Sequence, residues 1–140
     1  MAELLVLADI EAAVIAELEA TLPAHGFAAH IATKLPPQST AAKPDEFVRV
    51  ITVGGTDQTL VSAAPRVAVE CFARVEARAQ RLAAFALAAL QTAGRSGTLG
   101  GLVCYRVTAE ALPGNLPMGS VPDRARYTFT ISADVRKLAV

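Results

Sequence analysis

Chemistry in a short chain needs polar side chains that converge. The two histidines, His25 and His30, stand five apart in HGFAAH. In a strand that spacing puts them on opposite faces. On a helix it separates them by about 140°, and Gly26 weakens a helix there. No third ligand of matching spacing accompanies them, so core or surface histidines are expected rather than a metal pair. Cys71 and Cys104 lie in apolar alternating runs and read as buried thiols of a reducing compartment; a disulfide would require neighbouring strands. The run GRSGTLGG from Gly94 to Gly101 has the glycines of a phosphate cradle. It follows a helix and precedes a strand, however, the reverse of the order that aims a helix N-terminus at an anion. A helix cap and a tight connection explain it better. No serine sits in a G-x-S-x-G turn, and neither cysteine has a histidine nearby in sequence. Asp45 and Glu46 are neighbours in a loop and are expected to solubilise it. Arg74, Arg78 and Arg81 line one face of a predicted helix. Balanced charge favours a solvated face, with Glu70 or Glu76 as ion-pair partners, over a surface for DNA. These residue types imply no catalytic residue, no cofactor and no metal site.

The balance of 13 basic against 13 acidic residues leaves no net field to gather nucleic acid or an acidic membrane surface. Absence of tryptophan and an aromatic share of 5% also disfavour a nucleic-acid binder. The hydrophobic share, 53% of 140 residues, exceeds the usual range and rests largely on alanine and valine. Such small apolar residues suit close packing between elements and between subunits. Glu3 stands where a secretory signal carries positive charge, and charged residues interrupt every apolar run before it reaches membrane-spanning length. A soluble protein made in the cytoplasm, with no membrane partner, is expected.

These residues are positioned by a short series of elements. Asp9 can cap a helix from about Ile10 to Leu22, with Ile10, Val14, Leu18 and Leu22 on one stripe. The residues before Asp9 either extend that helix or form a short strand. Phe27–Thr33 is a weak strand and Phe47–Val53 a firm one, with Gly54-Gly55-Thr56-Asp57 as the turn. Leu60–Ala64 continues the hairpin to Pro65, a residue of strand starts and edges. In PRVAVECFARVEARAQRLAAFALAAL, Val67, Val69 and Cys71 alternate with Arg66, Ala68, Glu70 and Phe72. From Arg74 the period turns helical, with Val75, Ala79, Leu82, Ala86 and Leu90 as the stripe and Gly94 as the C-terminal cap. Gly101–Leu112 and Ala125–Val135 are the last strands. The sequence predicts an α+β fold: a mixed, largely antiparallel sheet with two helices packed on one face. A parallel relation is expected between the strands that the second helix joins. One domain spans residues 1–140, with loops at about 34–46 and 112–124 expected to be mobile.

The order of several phrases resembles the tail terminator proteins of long-tailed bacteriophages, particularly those infecting actinobacteria. DIEAAVIAEL precedes a strand and IATKLP; FVRVITVGGTDQ follows; PRVAVECFA runs straight into an alanine-rich helix. A GGLV strand, a proline-bearing loop and the strand RYTFTISADVR close the series. The resemblance covers nearly all of residues 9–137. It implies a non-enzymatic virion subunit, assembled in the host cytoplasm as a hexameric ring on the head-proximal end of the tail tube. Such a ring stops tube polymerisation and docks the head connector. Its partners are copies of itself, the major tail tube protein and the head–tail connector, and phage DNA passes through the lumen without sequence-specific binding. Another neck protein, for head closure or tail completion, is the nearest alternative, and a small cytosolic enzyme or ligand-binding module a more distant one. A cyclic ring needs two different patches on each subunit. The expected subunit interface is the loop PGNLPMGSVPDR with its approach: Leu112, Pro113, Leu116, Pro117, Met118, Val121 and Pro122, with Leu116, Met118 and Val121 as anchors.

Overall fold

The computed structural model describes residues 3–39 and 43–140. Asp9 caps the first helix as its type suggests: its side chain accepts from the Ala12 N–H at 3.1 Å. The helix, α1, runs Ile10–Thr21 and buries Ile10, Val14 and Leu18 on one stripe. A 3-10 turn follows over Leu22–His25, closed by Gly26 in the left-handed region. Before α1, Leu5–Val6 forms a short strand, β1, paired with β8 (Leu138–Ala139).

The main sheet has six strands in the order β2-β3-β4-β7-β6-β5. These are His30–Ala32 (β2), Phe47–Asp57 (β3), Ser62–Ala73 (β4), Thr98–Leu99 (β5), Leu102–Asn115 (β6) and Ala125–Arg136 (β7). All pairings in it are antiparallel except β2 with β3. The second helix, α2 (Glu76–Ser96), joins β4 to β6. Those two strands do run parallel, but β7 lies between them, so the expected parallel relation is not a pairing. Both helices cover one face, where Val14, Leu18, Leu82 and Leu90 meet Val67, Val69, Phe129 and Ile131 in a single cluster. Removing each such side chain from water stabilises the fold by about 1.5–3 kcal/mol.

Several boundaries differ from the sequence reading, each for a local reason. The double glycine is a bulge rather than the turn: β3 continues to Asp57, and the register slips by one between Thr52 and Gly55. Gly55 lies at φ 132 against β4, where a Cβ would sit 2.4 Å from the Ala64 carbonyl oxygen. Pro65 is paired with Gly55 inside β4, the irregular site that a strand proline tolerates. The turn falls at 58–61 instead, where the Gln58 and Thr59 amides donate to the Ser62 carbonyl. Val75 does not belong to the buried stripe; it is the extended, exposed N-cap of α2. Gly94 is not the cap either. It is buried inside α2 against β6, and Gly97, at φ 91, ends the helix by donating to the Ala93 carbonyl. The strand predicted to end at Leu112 continues to Asn115.

The two edges of the sheet differ. Along β3 the edge is covered by β2, and beyond it the Glu11 carboxylate accepts from the Thr52 amide at 2.7 Å. On the far side β5 pairs only with Leu102 and Val103. The rest of the outer edge of β6 has no strand beside it among the described residues, and its pairing with β7 shifts register at three places.

Candidate interaction surfaces

The side chains that could have done chemistry do not converge. His25 stacks near Phe85, with ring centroids 5.2 Å apart, while His30 is exposed on β2. Among the described residues no three His, Cys, Asp or Glu are placed to hold a metal. Cys71 and Cys104 are free and buried; Cys71 pairs in register with Tyr127 and Cys104 with Val135, at opposite ends of β7. Burial, then the Glu70 carboxylate, pushes the Cys71 thiol far above its ordinary range. Burial likewise raises Cys104. Both are poor nucleophiles. In the glycine run, Gly100 instead packs against the backbone of Ala13, where a Cβ would lie 2.2 Å from the carbonyl oxygen.

The arginine row has an architectural use. Arg74, which lies before the helix rather than on its face, pairs with Asp45 at 2.8 Å, and Arg78 on α2 pairs with Glu46 at 2.6 Å. The acidic pair thus clamps its loop to the β4–α2 joint and replaces the expected partners Glu70 and Glu76. Arg78 also donates to the Gly26 carbonyl and lies over the Phe27 ring. The hydrogen bond to Glu46 raises the Arg78 pKa further. Arg81 rests over Phe85.

The seven candidate interface residues divide. On the sheet face away from the helices, Phe47 and Phe72 stack with centroids 4.7 Å apart, and Val121 is buried against them with Met118 and Leu35 alongside. Val121 and Met118 therefore hold the 116–124 loop to its own subunit. Leu112, Leu116, Pro117 and Pro122 are exposed, and Pro113 is half-buried at the end of β6. Residues 40–42 of the predicted 34–46 loop lie outside the described residues. Next to them, the chain is tied to the 116–124 loop. Arg124, itself buried, donates to the carbonyls of Pro44 and Asp45 at 2.9 and 3.1 Å. Lys43 pairs with Asp123 at 2.6 Å, and that hydrogen bond lowers the Asp123 pKa. Nothing in the spacing of PGNLPMGSVPDR marks Arg124 as the tie.

Glu70 was also missed as a site. It is buried on the uncovered face of β4 and accepts from both Arg49 and Arg126. Arg49 is the register partner of Glu70 on β3, and Arg126, which pairs with Phe72, reaches it diagonally from β7, so a cross-strand charge triad forms where alternation alone suggested surface residues.

The opposite end of the strands exposes apolar side chains, among them Leu4, Leu7 and Leu60, beside a groove with a charged rim. Here β1, the start of α1, the β3–β4 hairpin and the end of β7 surround a groove of about 660 Å³ whose lining includes Leu5, Leu7, Ile10, Ala63, Pro65 and Val135. No helix is long and apolar enough to cross a membrane among the described residues. The molecule thus presents two exposed apolar ends and a charged open face, a geometry suited to contacts with other proteins.

No protein-family profile matches the chain, and no curated protein sequence matches it. Its fold is shared with a solved structure, a chain from the virion of a native gene transfer agent particle. The two are 22% identical, with a TM-score of 0.55 over 91% of this chain and 94% of that one. At that identity the likeness shows the fold alone: an α+β arrangement with two helices on one face of a mixed sheet.

Proposed function

We propose that this chain is a structural, non-enzymatic subunit of a phage-like virion, and specifically its tail terminator. The observation that carries the reading is the shared fold: it runs along nearly the whole of both chains, and the other chain is a virion component. The succession of phrases from DIEAAVIAEL to RYTFTISADVR supports the finer assignment. In this role six copies close into a ring on the head-proximal end of the tail tube. The ring halts tube growth, receives the head connector and lets DNA pass through its lumen without sequence-specific contacts. The exposed residues of the 112–122 segment, Leu112, Leu116, Pro117 and Pro122, reach the adjacent subunit, while Met118 and Val121 hold the segment in the pose that offers them. A heterologous contact of this kind closes by rotation.

The test is removal of the gene from the particle that encodes it, followed by electron microscopy. Tails of unregulated length, detached from heads, are expected. Tails of normal length joined to heads would overturn the proposal. Tails of normal length left unjoined would assign the chain to another neck component, such as a head-closure or tail-completion protein.

A further inference from the structure

Of the thirteen exposed large hydrophobics among the described residues, eight lie at the hairpin end of the sheet. Leu4, Leu7, Leu60, Val61, Leu138 and Val140 form its surface, with Leu7 and Leu60 exposed by 70% and 82%. They are contiguous: Val140 donates to the Leu4 carbonyl and Lys137 to that of Val61. Together they present on the order of 600 Å² of apolar area, at the top of what a monomer usually exposes and approaching the roughly 800 Å² per partner of a stable interface. The β1–β8 ribbon beneath pairs only two residues per strand, too little to stand alone in water.

The charges lining the adjoining groove nearly cancel, with Asp9, Glu11 and Asp57 against Arg136 and Lys137. Asp9 caps α1, Glu11 accepts from Thr52, and Asp57 pairs with Lys137 at 2.7 Å. A charged peptide would gain little there; an uncharged apolar segment fits. The chain has one at its other end, since Ala111–Pro122 contains no charged residue and exposes Leu112 and Leu116. That segment cannot fill its own groove. Asn115 pairs with Tyr127, whereas Val135 lines the groove, and the eight steps along β7 from one to the other span about 27 Å.

We infer that the hairpin end is the acceptor for the Leu112–Leu116 segment of a second copy of this chain, joining subunits head to tail. The inference rests on the reading of the chain as a self-assembling virion subunit, and supplies the receiving surface which that reading leaves unassigned. The experiment uses two exposed-site variants: an acceptor-defective Leu7→Asp/Leu60→Asp and a donor-defective Leu116→Asp. Each alone weakens self-association at least about tenfold and runs as a monomer in size exclusion with light scattering. Mixed in equal amounts they form a heterodimer and nothing larger, because one intact donor meets one intact acceptor and neither remaining end can propagate. Circular dichroism confirms that both variants fold. Wild-type-like assembly of either variant, a mixture that stays monomeric, or a wild type that is monomeric at its highest soluble concentration overturns the inference. Each of those results leaves the tail-length phenotype of the gene deletion standing, whereas a deletion with normal particles sinks the terminator reading and not the head-to-tail contact.

Discussion

Val121→Ala separates the two uses of the 116–124 loop. Val121 is 1% exposed and packs on the stacked Phe47–Phe72 pair. Truncation removes two methyl groups, worth about 0.8 kcal/mol each by transfer. Two stacked rings on adjacent strands collapse poorly into the space, so a cavity term brings the expected loss to about 2 kcal/mol. In a domain of this size that lowers Tm by roughly 6–8 °C. Urea unfolding should show the loss as a shifted midpoint at constant slope. Leu116→Ala, at an exposed position, should stay within about 0.5 kcal/mol of wild type. An unchanged midpoint for Val121→Ala, or a larger loss for Leu116→Ala, would refute the division of the loop into an anchoring half and a presenting half.

Gly94→Ala should destabilise despite better helix propensity. The gain of about 1 kcal/mol is exceeded by the overpacking cost of about 1–3 kcal/mol, because the new Cβ would lie 2.7 Å from the Val107 nitrogen; a raised Tm would contradict this. Glu70→Ala leaves Arg49 and Arg126 facing each other and should cost about 3 kcal/mol, the lower end for a broken buried pair since both arginines are partly solvated. Chemical denaturation showing less than about 0.5 kcal/mol would mean that water already screens the triad. The Asp123 pKa is lowered in the fold, so its stabilising contribution is present above the unfolded carboxylate pKa and is lost as pH falls through the folded one. Carboxyl NMR titration should show Lys43→Met raising the Asp123 midpoint, and an unmoved midpoint would discount the tie between the loops.

How much of this was legible depended on periodicity. The α1 stripe and the alternation of Tyr127, Phe129, Ile131, Ala133 and Val135 were readable because a repeated spacing meets one continuous surface. The double glycine was ambiguous because a positive φ serves a turn and a bulge equally, and only the approach of β4 decides between them. Gly94 and Gly97 are both credible helix ends; which one is buried depends on Val107, thirteen residues past Gly94 and on the strand β6. Strand order was not readable, since nothing in the α2 connection announces that β7 will lie between β4 and β6. The candidate interface was legible as an apolar loop, but such a loop has no period, so nothing indicated that Val121 points inward and Leu116 outward. Glu70 looked like one polar position among several, because its partners come from strands distant in sequence.

The shifts of register along β6 have a consequence for aggregation. The longest run in unbroken phase with β7 is Arg106–Ala109, fewer than the six or seven residues that a cross-β spine uses. A chain so rich in aliphatic side chains can thus reach high concentration with little risk that the margin of β6, bare among the described residues, seeds fibrils.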